Sequence, residues 1–239
     1  MLMSQDISEE EYNKYYPKNM LVTEMGNFLR KKRNPIVLEF GVNKGGSTKK
    51  FIWLTEKLNG KVYSVDIEDC SNVSNSENWK FLKSDDLDID YVLENFPEIK
   101  EKGADLIFID SYHEHSHVTK LLKKYFKYAK KNGAIFIDDI DSSYYRQRYG
   151  LERKLSYLVQ SIVYDLTSDA VREFYYNNME KGYYSKHYGE TGLGKFYKTA
   201  NLFEEPNPDK KLWIYNPLVK MLYPYLKKIV SAFNLKKIK

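Results

Sequence analysis

The sequence predicts an α/β domain built on a doubly wound, mostly parallel sheet with helices on both faces. Three observations carry that expectation. Apolar runs of strand length alternate with segments of helical period between about residue 34 and residue 200. The first run, Ile36-Val37-Leu38-Glu39-Phe40, leads into glycines at Gly41, Gly45 and Gly46 and then a helix start from Ser47-Thr48. That is the strand–turn–helix entry unit of such sheets. Finally, the runs close on polar or acidic residues at Glu39, Asp66, Ser84-Asp85, Asp110 and Asp138-Asp139. Open α/β sheets bind ligands outside the carboxyl ends of their strands, so acids gathered there mark one rim.

The elements follow in order. Residues 1–33 read as an N-terminal helical cap, with a short helix at Glu9–Tyr15 and a second across Asn19–Arg33. In the second, Leu21, Val22, Met25, Phe28 and Leu29 keep a helical period. The body, residues 34–200, continues with strands at Lys61–Asp66, Trp79–Leu82, Ala104–Asp110 and Ala134–Asp139. Helices are expected at about Asp88–Lys100, at Val118–Lys131 with Asn132-Gly133 as its stop, and at about Leu151–Asp165. Glu68–Asn78 and the tyrosine- and arginine-rich stretch Asp141–Tyr149 read as loops. Val171–Tyr176 and Leu193–Tyr197, joined through Gly189–Gly192, read as a closing strand pair and supply an antiparallel edge. Residues 201–239 form a basic, aromatic tail.

Composition sets outer limits. At 239 residues the chain is long enough for a seven-stranded sheet clad in helices, with no need of a disulfide or metal staple. Its one cysteine, Cys70, excludes an internal disulfide framework and suits a reducing cytoplasm. Neither a signal-peptide core nor an apolar run of spanning length is visible, so a soluble, cytoplasmic protein is expected. The net charge of +5 sits in the tail: residues 210–239 hold eight lysines and no acid, leaving 30 basic against 33 acidic residues before them. An acidic body argues against nucleic acid as partner. The tail interleaves its lysines with Trp213, Tyr215, Leu218, Leu222, Tyr225, Ile229 and Phe233. It reads equally as a membrane-surface segment, as a strip packed on the body or as a contact with a second copy of the chain.

The glycine turn narrows the chemistry. Its spacing departs from the G-x-G-x-x-G dinucleotide fingerprint, and Gly46 is followed by Ser47 where a phosphate-cradling Walker loop needs lysine. The sole Tyr-x-x-x-Lys, Tyr223 to Lys227, lies in the proline-broken tail, so a nicotinamide oxidoreductase is disfavoured. Asp66 closes the strand beside the turn, where a carboxylate can accept hydrogen bonds from both ribose hydroxyls. Asp85, with Ser84 beside it, stands where an adenine amino group would be met; Asp86 is an alternative. Asp110, Asp138 and Asp139 make a second constellation of hard oxygen donors suited to a divalent cation such as Mg²⁺. His113, three residues after Asp110, is placed to accept a hydroxyl proton. The run His113-Glu114-His115-Ser116-His117 invites a zinc reading, but only His187 and Cys70 remain to complete such a site. His115 and His117 are therefore expected at a solvated helix start. Tyr112, Tyr144, Tyr145 and Arg146 are candidate acceptor contacts, since tyrosine stacks on sugar faces and arginine grips anions.

The spacing from Leu38 to Ser47 resembles motif I of the class I S-adenosylmethionine (SAM) methyltransferases, in particular the metal-dependent catechol-type O-methyltransferases. Asp110-Ser111-Tyr112-His113 with Asp138-Asp139 resembles the paired motifs of the macrocin/mycinamicin sugar O-methyltransferases and of the cephalosporin hydroxylase-like group. The resemblance covers about residues 34–140 and implies a Rossmann-like class I methyltransferase fold. It implies a SAM site formed by Glu39, Gly41, Asn43, Gly45, Ser47, Asp66, Ile67, Ser84, Asp85 and Asp110, with Glu39 near the methionine amino group. It also implies Mg²⁺ on Asp110, Asp138 and Asp139, and His113 as base. The expected function is Mg²⁺-assisted methyl transfer to a hydroxyl of a sugar or glycan. A phenolic or catechol acceptor, or a non-catalytic scaffold of the same fold in glycan assembly, are the alternatives; Asp86 and Asp141 have no place in the family pattern.

Overall fold

The computed structural model describes residues 7–18, 21–189, 191–209 and, in the tail, 221, 222, 224, 225 and 228. The remainder of the expected tail segment lies outside the described residues. Seven strands form one sheet: β1 (Ile36–Phe40), β2 (Lys61–Asp66), β3 (Trp79–Lys83), β4 (Ala104–Ile109), β5 (Ala129–Ile137), β6 (Gly182–His187) and β7 (Leu193–Lys198). Their order is β3-β2-β1-β4-β5-β7-β6. The first five run parallel; β7 runs against β5 and β6 against β7, which puts the antiparallel pairing at the sheet edge as expected. The strand order reverses between β1 and β4, and the crevice that opens there is the ligand-binding position of doubly wound folds.

Every residue of β1 is buried, because the sheet is covered on both faces. One face packs Ile36, Leu38 and Phe40 with Val118 and Leu121 of α6 (His115–Tyr125) and Ala170 and Phe174 of the last long helix. The other packs Val37 with Phe51 and Leu54 of α3 (Gly46–Lys57), and with Tyr12, Met25 and Leu29 of α1 (Glu9–Tyr15) and α2 (Val22–Leu29). The N-terminal helices thus lie on the sheet's α3 face, tied by Tyr16 Oη donating to the Lys50 carbonyl at 2.8 Å. Among the described residues no helix is long and apolar enough to cross a membrane.

Several expectations are corrected. The helix expected at Asp88–Lys100 is two, α4 (Ile89–Asn95) and α5 (Pro97–Lys102), because a proline cannot donate to the preceding turn. The helix expected to run through Lys131 ends at Tyr125, and Asn132-Gly133 sits inside β5 as an irregularity, not as a helix stop. There the register jumps from Ala104↔Ala129 to Leu106↔Ala134, and Asn132 takes φ 62. The tyrosine- and arginine-rich loop is helical, α7 (Ser143–Glu152). Val171–Tyr176 is not a strand but part of α8 (Leu155–Asn177), and the first strand of the closing pair is β6. Buried Val159, Val163, Leu166, Ala170, Val171 and Phe174 recur at helical spacing, a period that outweighs the local strand propensity.

Candidate functional site

The site lies at the carboxyl ends of β1, β2, β4 and β5. Gly41 leaves β1 at φ 94, and a Cβ built there would meet the Asp110 carbonyl oxygen at 2.1 Å, so the turn passes directly against the end of β4. Gly45 caps α3 in the left-handed region at φ 76. Glu39 points to the α3 face and is fully buried. It accepts from Ser47 Oγ at 2.6 Å, Thr48 Oγ1 at 2.8 Å and Ser64 Oγ at 2.7 Å, and Ser64 is its register partner on β2. Ser64 in turn accepts from Trp79 Nε1 at 2.9 Å. Burial pushes the Glu39 carboxyl up to about 7 even though the three hydroxyls favour its charged form.

Asp66 spans the turn from the neighbouring strand. Its Oδ2 accepts from the Val42 and Asn43 backbone N–H groups at 2.8 and 3.0 Å, and its Oδ1 from that of Glu68 at 3.0 Å. Partial burial raises its pKa, but the three backbone donors and the Cys70 thiol more than offset this and hold it below the usual carboxylate range. The same burial, with the Asp66 charge, pushes the Cys70 thiol up to about 11.

On the other side of the crevice, His113 Nε2 stands between two carboxylates, 3.4 Å from Asp110 Oδ1 and 3.3 Å from Asp139 Oδ2. Burial lowers its pKa, but the Asp110 hydrogen bond and the charges of Asp139, Asp110 and Asp138 carry it above the ordinary imidazole value. Asp138 is pushed up to about 8 by burial and by the charges of Asp110 and Asp139. Asp139 adopts φ 58, an uncommon conformation for a side chain with a Cβ, and its N–H donates to Asp138 Oδ1 at 2.9 Å. Two buried polar atoms on this wall, Ser111 Oγ and His113 Nδ1, have no hydrogen-bond partner among the described residues.

A cavity of ≈ 820 Å³ joins the two halves. Of the residues expected from sequence, Gly41, Asn43, Asp66, Ile67, Ser84, Asp85, Asp110, Tyr112, His113 and Asp139 line it. Glu39, Gly45, Ser47, Asp138, Tyr144, Tyr145 and Arg146 are not part of that lining. Glu39 braces the turn from beneath, and Arg146 is ion-paired with Asp165 on α8. The histidine expectation is corrected: His115 is buried with Nε2 3.0 Å from Glu173 Oε2, and His117 lies on the cavity wall 3.0 Å from Asp86 Oδ1.

The acid set suits a hard divalent cation in chemistry: three carboxylates with no thiolate, whose mutual repulsion a cation would relieve, beside two orphaned polar atoms. Among the described residues no three His, Cys, Asp or Glu side chains are gathered closely enough to enclose an ion, and His113 bridges Asp110 and Asp139 instead.

Residues 38–140, which span β1 to the end of the acid pair, match the family described as "Methyltransferase domain". Solved structures of the same fold include the MycE methyltransferase from the mycinamycin biosynthetic pathway in complex with Mg, S-adenosylhomocysteine (SAH) and mycinamycin VI. It is 18% identical at a TM-score of 0.53, over 89% of this chain and 58% of that one, so this chain spans somewhat more than half the length of MycE. A Staphylococcus aureus protein described as a caffeoyl-CoA O-methyltransferase is 16% identical, with a TM-score of 0.56 over 81% of this chain and 93% of that one. The SAH-bound Podospora anserina methyltransferase PaMTH1 is 15% identical, with a TM-score of 0.51 over 80% and 88%. No curated protein matches the chain in sequence. The fold is the Rossmann-like one of these methyltransferase structures.

The site also draws on residues outside the sequence motifs. His117, with Asp86 (the alternative to Asp85), forms one wall of the cavity beside the expected Tyr112, whose ring stands edge-on to His117 at 5.5 Å between centroids. The β6–β7 hairpin reaches the acids: Thr191 Oγ1 donates to Asp138 Oδ1 at 3.5 Å, and the Asp141 N–H donates to the Thr191 carbonyl at 2.7 Å. The ring of Tyr164, on α8, sits 6.4 Å from the His113 ring. The helical period of 159–174 is the signal that would have placed it.

Proposed function

We propose that the chain is a SAM-dependent O-methyltransferase, assisted by a divalent cation such as Mg²⁺, that methylates a hydroxyl of a sugar or glycan. The observation that carries the reading is the single cavity that has Asp66 beside the glycine turn at one end and the Asp110–His113–Asp139 cluster at the other. A nucleoside laid across the first end meets Asp66 through its ribose hydroxyls and Ser84-Asp85 through its base. The methyl group is then aimed toward the second end, where an acceptor oxygen attacks the sulfonium carbon in line. Orientation of that kind accounts for much of the rate advantage in group transfer.

A cation on Asp110, Asp138 and Asp139 would supply Lewis-acid assistance, lowering the pKa of a bound hydroxyl. His113 accepts the hydroxyl proton, and the surrounding carboxylates increase its basicity. Asp110 holds that ring from one side and Asp139 from the other. Tyr112, exposed on the cavity wall, offers a face for the acceptor; Tyr144, Tyr145 and Arg146 of α7 are not part of that lining.

Calorimetric titration with SAM and SAH tests the donor half; no binding would leave the scaffold reading standing. Labelled methyl donor offered with oligosaccharides, nucleotide sugars and catechols, with and without chelator, tests the acceptor half. Transfer to a catechol alone, or transfer indifferent to chelator, would overturn the sugar or the cation assignment respectively.

A further inference from the structure

We propose that the C-terminal segment from residue 210 onward docks the protein on an anionic lipid bilayer. The chain changes character at residue 209. Up to there its acids are answered by the body: Glu204 pairs with Lys181 at 3.4 Å, Glu205 with Lys127 at 2.7 Å, and Asp209 with Lys123. Asn207 ties the same stretch to the end of α8, its N–H donating to Asn178 Oδ1 at 2.8 Å and its side-chain amide to the Asn177 carbonyl at 2.7 Å. These partners stand where α6 and α8 lead into β5 and β6, on the rim opposite the cavity. Beyond residue 209 the sequence holds eight lysines and no acid.

The described part of that segment suits a boundary between water and lipid. Residues 221, 222, 224, 225 and 228 are helical. Met221, Leu222 and Tyr225 fall on one helix face and are 60%, 49% and 65% exposed. In sequence, Leu218, Ile229 and Phe233 continue the same period, and Lys220 and Lys227 fall outside it. An apolar, partly aromatic face beside lysines is the composition of segments that lie in a headgroup layer. Charge selects the occupant. The wall at which the segment leaves the body is lysine-rich: Lys124 follows the paired Lys123 on α6, and Lys131 reaches Asn201. A lysine-only segment is repelled there and by the same segment of a second copy. Nucleic acid would answer the charge but not the apolar face, whereas an anionic bilayer answers both.

The test is co-sedimentation of the full chain with vesicles of phosphatidylcholine alone, or of phosphatidylcholine and phosphatidylglycerol at about three to one. Wild type should bind the mixed vesicles only, and less as salt is raised. The combined variant Lys220→Gln, Lys227→Gln, Lys228→Gln should bind on the order of 100-fold more weakly, about 5-fold for each lysine. Met221→Ser, Leu222→Ser, Tyr225→Ser together should cost about 100-fold or more on vesicles while leaving weak binding to duplex DNA unchanged. Both variants should keep the wild-type Tm, and a lowered Tm would assign the segment to the fold and refute the docking role. Wild type that ignores the mixed vesicles would mean that the body or a second copy holds the segment. Equal binding to both vesicles, or an apolar variant that binds as well as wild type, would also overturn the proposal. So would wild-type affinity for duplex DNA equal to that for mixed vesicles, the mark of a generic polyanion contact. None of these readouts involves methyl transfer, so they stand or fall apart from the proposed reaction.

Discussion

The two halves of the rim are built on opposite principles. On the β1–β2 side the two strand-end acids are answered by the protein: Glu39 by three hydroxyls, Asp66 by three backbone N–H groups. On the β4–β5 side the acids face one another and a buried imidazole, Asp138 is driven toward its neutral form, and two polar atoms are left without partners among the described residues. Satisfied polar networks fix a shape; unsatisfied, like-charged clusters hold free energy that a ligand can release. On the proposed function, the first half is a finished cradle for the methyl donor and the second a charged socket that a ligand would complete.

Removing a socket acid should have the largest effect. Asp138→Asn should lower methyl transfer on the order of 1,000-fold while SAH affinity in calorimetry stays nearly intact. Loss of SAH binding instead would mean that the halves are not separate. His113→Ala should cost about 100-fold, because a base of this kind contributes that much or more. Its pKa is raised, so the wild-type rate should climb with pH through a value above the ordinary imidazole range. The variant's deficit should be greatest above that value and shrink below it; a parallel pair of pH–rate curves would remove His113 as the proton acceptor.

Smaller effects test the cradle. Gly41→Ala places a methyl against the Asp110 carbonyl at positive φ, and such strain costs of order 1–3 kcal/mol. Because that contact joins the halves, both SAH affinity and Tm should drop, and a neutral result would show that the turn has room to shift. Glu39 gives the gentlest signal. Its folded pKa of about 7 lies above the ordinary glutamate value, so the folded state keeps a proton that the unfolded state releases between pH 4.5 and 7. Its contribution to stability is therefore full below pH 4.5 and is lost as pH rises through 7. Glu39→Gln should flatten the fall of denaturant-measured stability across that window by about 1 kcal/mol per pH unit. Identical slopes would mean that Glu39 ionises normally.

The cradle was the more legible half in sequence, and the reason is local. Ile36–Phe40, Lys61–Asp66 and the glycines between them interact over short distances, so strand, turn and acid can be read from adjacent residues. The acids of the socket were legible too, but not what surrounds them. Tyr164, Thr191 and Glu173 come from α8 and the hairpin, and their relation to His113, Asp138 and His115 exists only after the chain has folded back. The C-terminal half of α8 is hidden in sequence because Val171-Arg172-Glu173-Phe174-Tyr175-Tyr176 carries strand-like residues, whereas burial follows the helical spacing from Val159. His115 and His117 were expected in solvent because a helix start is ordinarily wet, yet Glu173 and Asp86 cover them from other elements.

The hairpin deserves a practical corollary. Surface turns between strands are usual places to insert a tag or lengthen a loop. Here Thr191 and Gly192 are stitched to Ile140 and Asp141 by backbone hydrogen bonds, and a Cβ on Gly192 would strike the Asp141 side chain at 2.5 Å. An insertion at that bend would withdraw Thr191 from Asp138, so peptide tags and linkers belong elsewhere on this protein.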